Sequence, residues 1–228
     1  MTWSWDAFWT RLGWLVDGLK DWQDLVGALV ALFAAFLGVR YLDRQTRQAA
    51  QIEAARMERA RAAARATLPL WISQVCAHAK EVADGLRPLM HAPGEAVPRS
   101  LRAEYSPAQI APEIIDKLQD FVECDAEVGA VVVVSEILSE MQVLQSRIRS
   151  ICQKDQSFIV TRSNIEVYAF QAAKIYALAS CLFPYARREV ETVDAMLTAD
   201  RLHVALRVLD LDGHEMSRLA EMAERMTP

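Results

Sequence analysis

The sequence predicts an all-α protein in which an N-terminal membrane-associated region precedes an antiparallel helical bundle. Three observations support this. Apolar side chains recur at helical steps of three and four along most of the chain. One nearly uncharged apolar run lies close to the N-terminus. Glycine and proline are scarce, with eight of each in 228 residues, so long unstructured tracts are not expected.

Residues 1–24 predict an amphipathic helix at a membrane surface. They hold five of the six tryptophans, and at about 100° per residue their acidic and polar side chains collect on one side. Indole rings favour the boundary between water and hydrocarbon. Packing of the same apolar face on a soluble domain is the alternative. The predicted interface residues of this segment are Trp3, Trp5, Trp9, Trp14 and Trp22.

Residues 25–42 predict a single transmembrane helix. The uncharged stretch between Asp24 and Arg40 spans only about 22 Å as a helix, whereas a bilayer core is about 30 Å thick. Because Arg40 can extend its guanidinium to the headgroups, a span from Trp22 to Leu42 is reasonable. A buried core helix is the competing interpretation. A cleaved secretory signal is disfavoured, since the preceding segment is long and net acidic.

Small residues recur at helical spacing along the predicted span. They include pairs of small residues four positions apart, which allow two helices to approach closely. We therefore expect self-association through this face, although alanine and glycine are also common in transmembrane helices in general. The predicted helix-association residues are Gly27, Ala31, Ala34, Ala35 and Gly38.

Residues 43–66 predict a continuous helical stalk rich in alanine and arginine, without glycine or proline. From residue 40 to residue 67 seven arginines face three acids, whereas the regions on either side are net acidic. Arginine is retained on the cytoplasmic side of membranes, which predicts an outside N-terminus and a cytoplasmic C-terminal domain in a bacterial inner membrane. An ordinary solvated helix is the alternative. The predicted membrane-interface residues here are Arg40, Tyr41, Arg44 and Arg47.

Residues 67–228 predict a cytoplasmic helical bundle with one long loop. Thr67, followed two residues later by a proline, predicts a helix start, and Arg87-Pro88 predicts the end of that helix. Four prolines and one glycine make residues 91–112 a predicted loop. The next helix is expected to begin either at Ser106 or at Pro112.

Two long helices with matching apolar seams predict an antiparallel hairpin. The run Val131–Val134 leads into apolar residues at steps of three and four, which indicates a buried helix rather than a strand. Ser163 and Glu166 have the spacing of a capping box at the start of the second helix. Two shorter helices are predicted, near 199–211 and after Asp212.

The helix that follows the loop carries an acidic face. Its five carboxylates fall within about 80° of the helix circumference. Three interpretations remain open: a solvated face, a docking surface for a basic partner or for the arginine-rich stalk, and a divalent metal site. The candidate partner-binding residues are Glu113, Asp116, Asp120, Glu123 and Glu127.

The sequence contains no motif that specifies a reaction. It has no Gly-rich phosphate loop, no G-x-S-x-G elbow and no H-E-x-x-H pair. The four cysteines are isolated residues without a C-x-x-C pair, which suits free thiols in a reducing compartment. We therefore predict no catalytic residue, no metal ligand and no cofactor. The aromatic-rich segment 168–185 is expected to pack in the core, with a ligand pocket as the alternative.

These patterns favour a single-pass membrane-anchored scaffold or partner-binding protein that self-associates. The expected partners are the lipid bilayer, further copies of the chain and an unidentified protein. Nucleic acid is disfavoured, because no aromatic residue interleaves with the basic run. Two alternatives remain: an oligomerising, membrane-perturbing effector of the toxin or defence type, and a ligand sensor or enzyme with a pocket in the bundle.

Overall fold

The computed structural model describes the backbone of residues 5–124, 127–152, 159–211 and 217–225, with side chains described for Trp22 and from Leu25 onward. These residues form helices and connecting segments without a β-strand, which confirms the predicted all-α class. The helices are α1 (Trp5–Met90), α2 (Arg99–Glu104), α3 (Pro112–Cys124), α4 (Val128–Ile151), α5 (Arg162–Cys181), α6 (Phe183–Ala186), α7 (Ala199–Val208) and α8 (Ser217–Arg225).

The chain divides into two compact units, residues 1–57 and residues 58–228. In the first unit, every side chain from Leu25 to Arg56 is exposed. The second unit contains the last part of α1 and all the other helices. It begins nine residues before the predicted bundle boundary, so Arg61 and Arg65, which the sequence places in the stalk, belong to the bundle.

Helix α1 is continuous where the sequence predicts a helix start at Thr67, and that prediction is wrong. The Thr67 hydroxyl donates back to the carbonyl oxygens of Ala63 and Ala64, at 3.3 and 3.2 Å, as a threonine does inside a helix. The apolar seam that begins at Leu68 is buried against the other helices, and this packing keeps Pro69 inside the helix. The helix also continues past Pro88, the predicted end, as far as Met90.

The predicted seams form the core of the bundle. On α1 the seven seam residues are between 0 and 2% exposed. They are Leu68, Ile72, Val75, Ala79, Val82, Leu86 and Leu89. On α4 the Val131–Val134 region is helical and leads into buried residues from Val134 to Ile151, which confirms the helix interpretation of this run.

Helices α4 and α5 form the predicted antiparallel hairpin. Arg147 near the end of α4 contacts Gln171 in the middle of α5, whereas Glu136, earlier on α4, contacts Lys174, later on α5. The residue numbers of the contacting pairs run in opposite directions, as antiparallel packing requires. The α5 side of this contact buries Ile165, together with most of the helix that follows it.

The predicted loop 91–112 is interrupted by the six-residue helix α2. Ahead of α2, the amide of Val97 donates to the Val160 carbonyl at 2.9 Å, and the amide of Arg162 donates to the Glu95 carbonyl at 2.8 Å. This short antiparallel bridge holds the loop against the start of α5. Of the two starts predicted for the next helix, the structure has Pro112.

Helix α5 is capped two residues earlier than predicted. Thr161 is the N-cap and forms a capping box with Asn164, so the proposed box of Ser163 and Glu166 is wrong. Glu166 instead pairs with Arg162 and with Arg218 of α8, each at 3.3 Å. The predicted cap at Asp212 lies outside the described residues.

Candidate functional site

An exposed apolar segment, residues 25–42 of α1, is the first candidate site. Eleven of its large apolar side chains are between 46 and 71% exposed. They are Leu25, Val26, Leu29, Val30, Leu32, Phe33, Phe36, Leu37, Val39, Tyr41 and Leu42. Soluble monomers rarely expose contiguous apolar patches of more than a few hundred Å². A contiguous exposed apolar surface of this kind is therefore unusual for a soluble monomer.

Two of the described helical stretches, one within Leu25–Met90 and the other α4, are long and apolar enough to cross a membrane by length and composition alone. They differ in burial. None of the most apolar window in the first stretch is buried, whereas α4 turns eight side chains into the bundle core. The burial of α4 accounts for its apolar character without a membrane.

The predicted membrane-interface residues are only partly within the described region. Trp3 lies outside it, and Trp5, Trp9 and Trp14 lie on α1 without described side chains. Trp22 is 71% exposed. At the other end of the apolar segment four predicted interface residues are all exposed: Arg40, Tyr41, Arg44 and Arg47. The Arg40 guanidinium lies 5.5 Å from the centre of the Phe36 ring. Arg47 forms an ion pair with Asp43 at 2.9 Å.

The five predicted helix-association residues, Gly27, Ala31, Ala34, Ala35 and Gly38, are all exposed. A Cβ atom placed on Gly27 or Gly38 meets no heavy atom within 4 Å. Packing within the described chain therefore does not require glycine at either position.

The predicted acidic face is shorter than expected. Glu113, Asp116, Asp120 and Glu123 are exposed on α3, and Asp120 pairs with Lys117 at 2.8 Å. Glu127 does not belong to this face, because α3 ends at Cys124. The Glu127 carboxylate instead accepts a hydrogen bond from the Ala130 amide and caps the first turn of α4. Among the described residues no group of three or more His, Cys, Asp or Glu side chains is placed to hold a metal ion.

Arg61 contacts the acidic helix, but at its carboxyl end rather than through its carboxylates. The Arg61 Nε donates to the Cys124 carbonyl at 2.8 Å, where a cation complements the helix dipole. The suggestion that the stalk arginines dock on the acidic face is wrong for Arg61.

Arg65 fastens α1 to the segment that follows α6. Its Nε donates to the Tyr185 carbonyl at 3.0 Å, and a terminal nitrogen donates to the Val190 carbonyl at 2.8 Å. The other terminal nitrogen pairs with Glu191 at 3.0 Å, and the guanidinium lies 4.1 Å from the centre of the Tyr185 ring. These contacts are structural and internal to the bundle.

A polar network lies between α4 and α5. Lys174 bridges Glu136 and Glu140, each at 2.7 Å, and the Gln171 amide donates to Glu140 and accepts from Arg147. Burial lowers the pKa of Lys174, but the hydrogen bonds and charges of the two glutamates outweigh this and raise it. The Lys174 ammonium is paired with two carboxylates and Arg147 is hydrogen-bonded to Gln171, which is typical of a contact that fixes the register of two helices.

The aromatic-rich segment packs in the core, as one of the two interpretations predicted. Tyr168, Phe170 and Tyr185 are buried, and Tyr176 and Phe183 pack against them from partly buried positions. Nearby, burial raises the pKa of the Cys76 thiol to about 11, so this cysteine remains protonated and unsuited to act as a nucleophile.

A groove of about 590 Å³ lies between residues 109–115 and α4. Sequence reasoning missed it, because its two walls are about thirty positions apart in the chain. Its apolar lining includes Ile110, Ile115, Leu138 and Met141, and polar side chains border it. Five of its ten lining residues are apolar and five are polar, and its volume lies within the range of small-molecule sites.

Comparison with protein-family models, with curated proteins and with solved structures found no match to this chain. A functional conclusion must therefore rest on the exposed apolar segment and on the groove.

Proposed function

We propose that this chain is a single-pass membrane-anchored scaffold whose helical bundle binds a protein partner. The single observation that carries the proposal is the exposure of every side chain in the apolar segment 25–42. Transfer of a large apolar side chain out of water is worth about 1 to 2 kcal/mol at such exposure. For eleven side chains the gain is on the order of 10 kcal/mol, which a hydrocarbon environment would provide.

The flanking charges support one orientation of this anchor. Arg40 lies near the end of the apolar segment and six more arginines follow it up to residue 67, and positive residues are retained on the cytoplasmic side. We infer an outside N-terminus and a cytoplasmic bundle, in a bacterial inner membrane. A fluorescent reporter that matures only in the cytoplasm, fused after Pro228, should be bright. A dark reporter at the C-terminus together with a bright reporter at the N-terminus would show that the orientation is the opposite one.

Self-association of the anchor is the second part of the proposal. The small side chains at Gly27, Ala31, Ala34, Ala35 and Gly38 leave space along the helix, and small residues four apart permit close packing of two transmembrane helices.

The anchor is tested by placing charge at its centre. Leu29→Arg with Phe33→Arg adds two arginines, each of which disfavours insertion by about 3 kcal/mol. We expect the wild-type chain to remain in the membrane pellet after a carbonate wash and the double variant to appear in the supernatant. The matched control is Gln48→Arg with Ile52→Arg, which adds the same charge at exposed positions beyond the segment.

A wild-type chain that is freely soluble without detergent would refute the anchor. Induced expression provides a further readout, because a scaffold should leave the membrane potential intact. Rapid depolarisation would instead favour the membrane-perturbing effector.

Association is tested by filling the small-residue face. Gly27→Ile with Ala31→Ile should reduce the signal of a membrane two-hybrid assay at least fivefold, because β-branched side chains keep the helices apart. Leu32→Ile, which alters an exposed residue of the same segment without adding volume, should leave the signal unchanged. Equal signals from the double variant and the wild type would exclude this face.

A further inference from the structure

The groove between residues 109–115 and α4 has two polar groups that the described chain leaves unused. The first is the amide oxygen of Gln145. Its Nε2 donates to the Ala108 carbonyl at 3.1 Å, but its Oε1 is buried without a hydrogen-bond partner. A buried acceptor without a donor is unfavourable. This oxygen is shielded from solvent, so an N–H group of a ligand in the groove would satisfy it once the amide side chain turns toward the groove.

The second group is the guanidinium of Arg149. It lies one helical turn beyond Gln145, is exposed, and makes no ion pair with the described residues. No carboxylate is among the residues that line the groove. Among the described residues the groove therefore offers one cation without a paired carboxylate, which an anionic group of an occupant would complement.

The order of these groups along α4 gives the groove a polarity. Leu138 and Met141 come first on this wall, the polar residues Gln142, Gln145 and Ser146 follow, and Arg149 comes last. From Leu138 to Arg149 the helix rises by about 16 Å, which is the length of about five extended residues. An occupant that is apolar along its length and anionic at one end matches this arrangement.

We propose that the groove binds the C-terminal tail of a protein partner that ends in apolar residues. The terminal carboxylate pairs with Arg149, a backbone N–H of the tail donates to Gln145 Oε1, and the apolar side chains pack on Ile115, Leu138 and Met141. A terminal carboxylate with its adjacent amides supplies both polar groups whatever the tail sequence. This inference rests on the proposed function, since it assigns the chemistry of the partner that the bundle binds.

The experiment uses the full chain in lipid nanodiscs and fluorescein-labelled pentapeptides as probes. The peptides begin with glycine-serine-glycine and end in every pair drawn from leucine, isoleucine, valine, phenylalanine and methionine. Fluorescence anisotropy should show saturable binding of at least one peptide with a free carboxylate. The C-terminal amide of the same peptide should bind about 1.5- to fivefold more weakly, as the loss of one exposed charge pair implies.

Two variants with matched controls locate the binding. Arg149→Gln should abolish the preference for carboxylate over amide, whereas Arg99→Gln, which removes an exposed arginine outside the groove lining, should retain it. Ser146→Trp should fill the groove and weaken binding at least tenfold. Ser135→Trp, at an exposed serine of α4 outside the lining, should not weaken it.

Failure of every peptide to bind overturns the inference, as does an unchanged carboxylate preference in Arg149→Gln. Titration with dodecanoate tests the competing ligand class. If dodecanoate binds in a way that depends on Arg149 and no peptide binds, the occupant of the groove is a single-chain lipid and not a partner tail. The membrane-anchor proposal is tested separately, by carbonate extraction. If the chain proves soluble, it can still be titrated with the same peptides in buffer.

Discussion

Replacing Arg65 by alanine should destabilise the bundle, and the contacts of this side chain allow the effect to be estimated. Two nitrogens donate to the carbonyls of Tyr185 and Val190, and the guanidinium lies over the Tyr185 ring. The Arg65 side chain is only 16% exposed, and its contact with the Tyr185 carbonyl is partly shielded from water. Arg65→Ala removes all of them and leaves the segment after α6 without its link to α1.

The expected loss in free energy of unfolding is about 2 to 3 kcal/mol. A hydrogen bond from a charged donor contributes about 1.5 kcal/mol or more, and the contact with the ring about 0.5 to 1 kcal/mol. The Val190 contact is discounted because it lies at the surface. The ion pair with Glu191 adds little, because the Glu191 side chain is 81% exposed and solvent screens it.

Thermal unfolding of the full chain in nanodiscs, followed by circular dichroism, should show a Tm lower by roughly 4 to 12 °C, given about 2 to 4 °C per kcal/mol at this length. Glu191→Gln should change the Tm by no more than about 2 °C. Arg65→Lys keeps the charge but not the planar fork, so it should lie nearer to alanine than to wild type. Full stability of Arg65→Lys, or equal effects of Arg65→Ala and Glu191→Gln, would refute this assignment.

Two further predictions concern the bundle. Gly129→Ala should lower the free energy of unfolding, measured by urea titration, by about 1 to 3 kcal/mol, because the added Cβ would overlap the Val193 carbonyl oxygen. The control is Gly27→Ala, whose added Cβ meets no atom within 4 Å. This control should leave urea unfolding of the bundle unchanged. Burial lowers the pKa of His78 below its ordinary value of 6.5, and Glu81 only partly offsets this. The unfolded chain therefore binds a proton first on acidification, so stability is lost as the pH falls below about 6.5, by about 1.4 kcal/mol per unit of pKa difference. His78→Leu should lose less stability than wild type between pH 7.5 and pH 5 in urea titrations; identical losses would show that His78 does not titrate.

Helical periodicity predicted most of the fold because each seam is local. The seam from Leu68 to Leu89 and the α4 seam up to Ile151 follow from steps of three and four residues, which place side chains on one face. The start of α3 at Pro112 was one of two predicted starts, since proline is favoured in a first helical turn.

Helix ends were predicted less well, because several residues near an end can serve as a cap. Thr67 has the chemistry of an N-cap but bonds back to its own helix, since the partly buried Ala64 before it and the buried seam from Leu68 onward favour continuation. Glu127 has the angular position of an acidic-face residue, yet α3 ends three residues earlier and the carboxylate caps α4.

The candidate site was also only partly predictable from the sequence. The apolar segment 25–42 and the arginines that follow it are contiguous in sequence, so the membrane hypothesis was available from composition alone. The structure adds that the side chains of residues 25–42 are exposed along the helix.

The sequence by itself determined the all-α class, the helical seams and the apolar segment, because periodicity and hydrophobicity are properties of neighbouring residues. Only the tertiary structure decided that Arg61 and Arg65 fasten the bundle, that Glu127 leaves the acidic face, and that residues 109–115 meet α4 in a groove. These features join residues that are far apart in the chain or depend on where a helix stops. Packing sets both, and no local pattern specifies which distant carbonyl a guanidinium reaches.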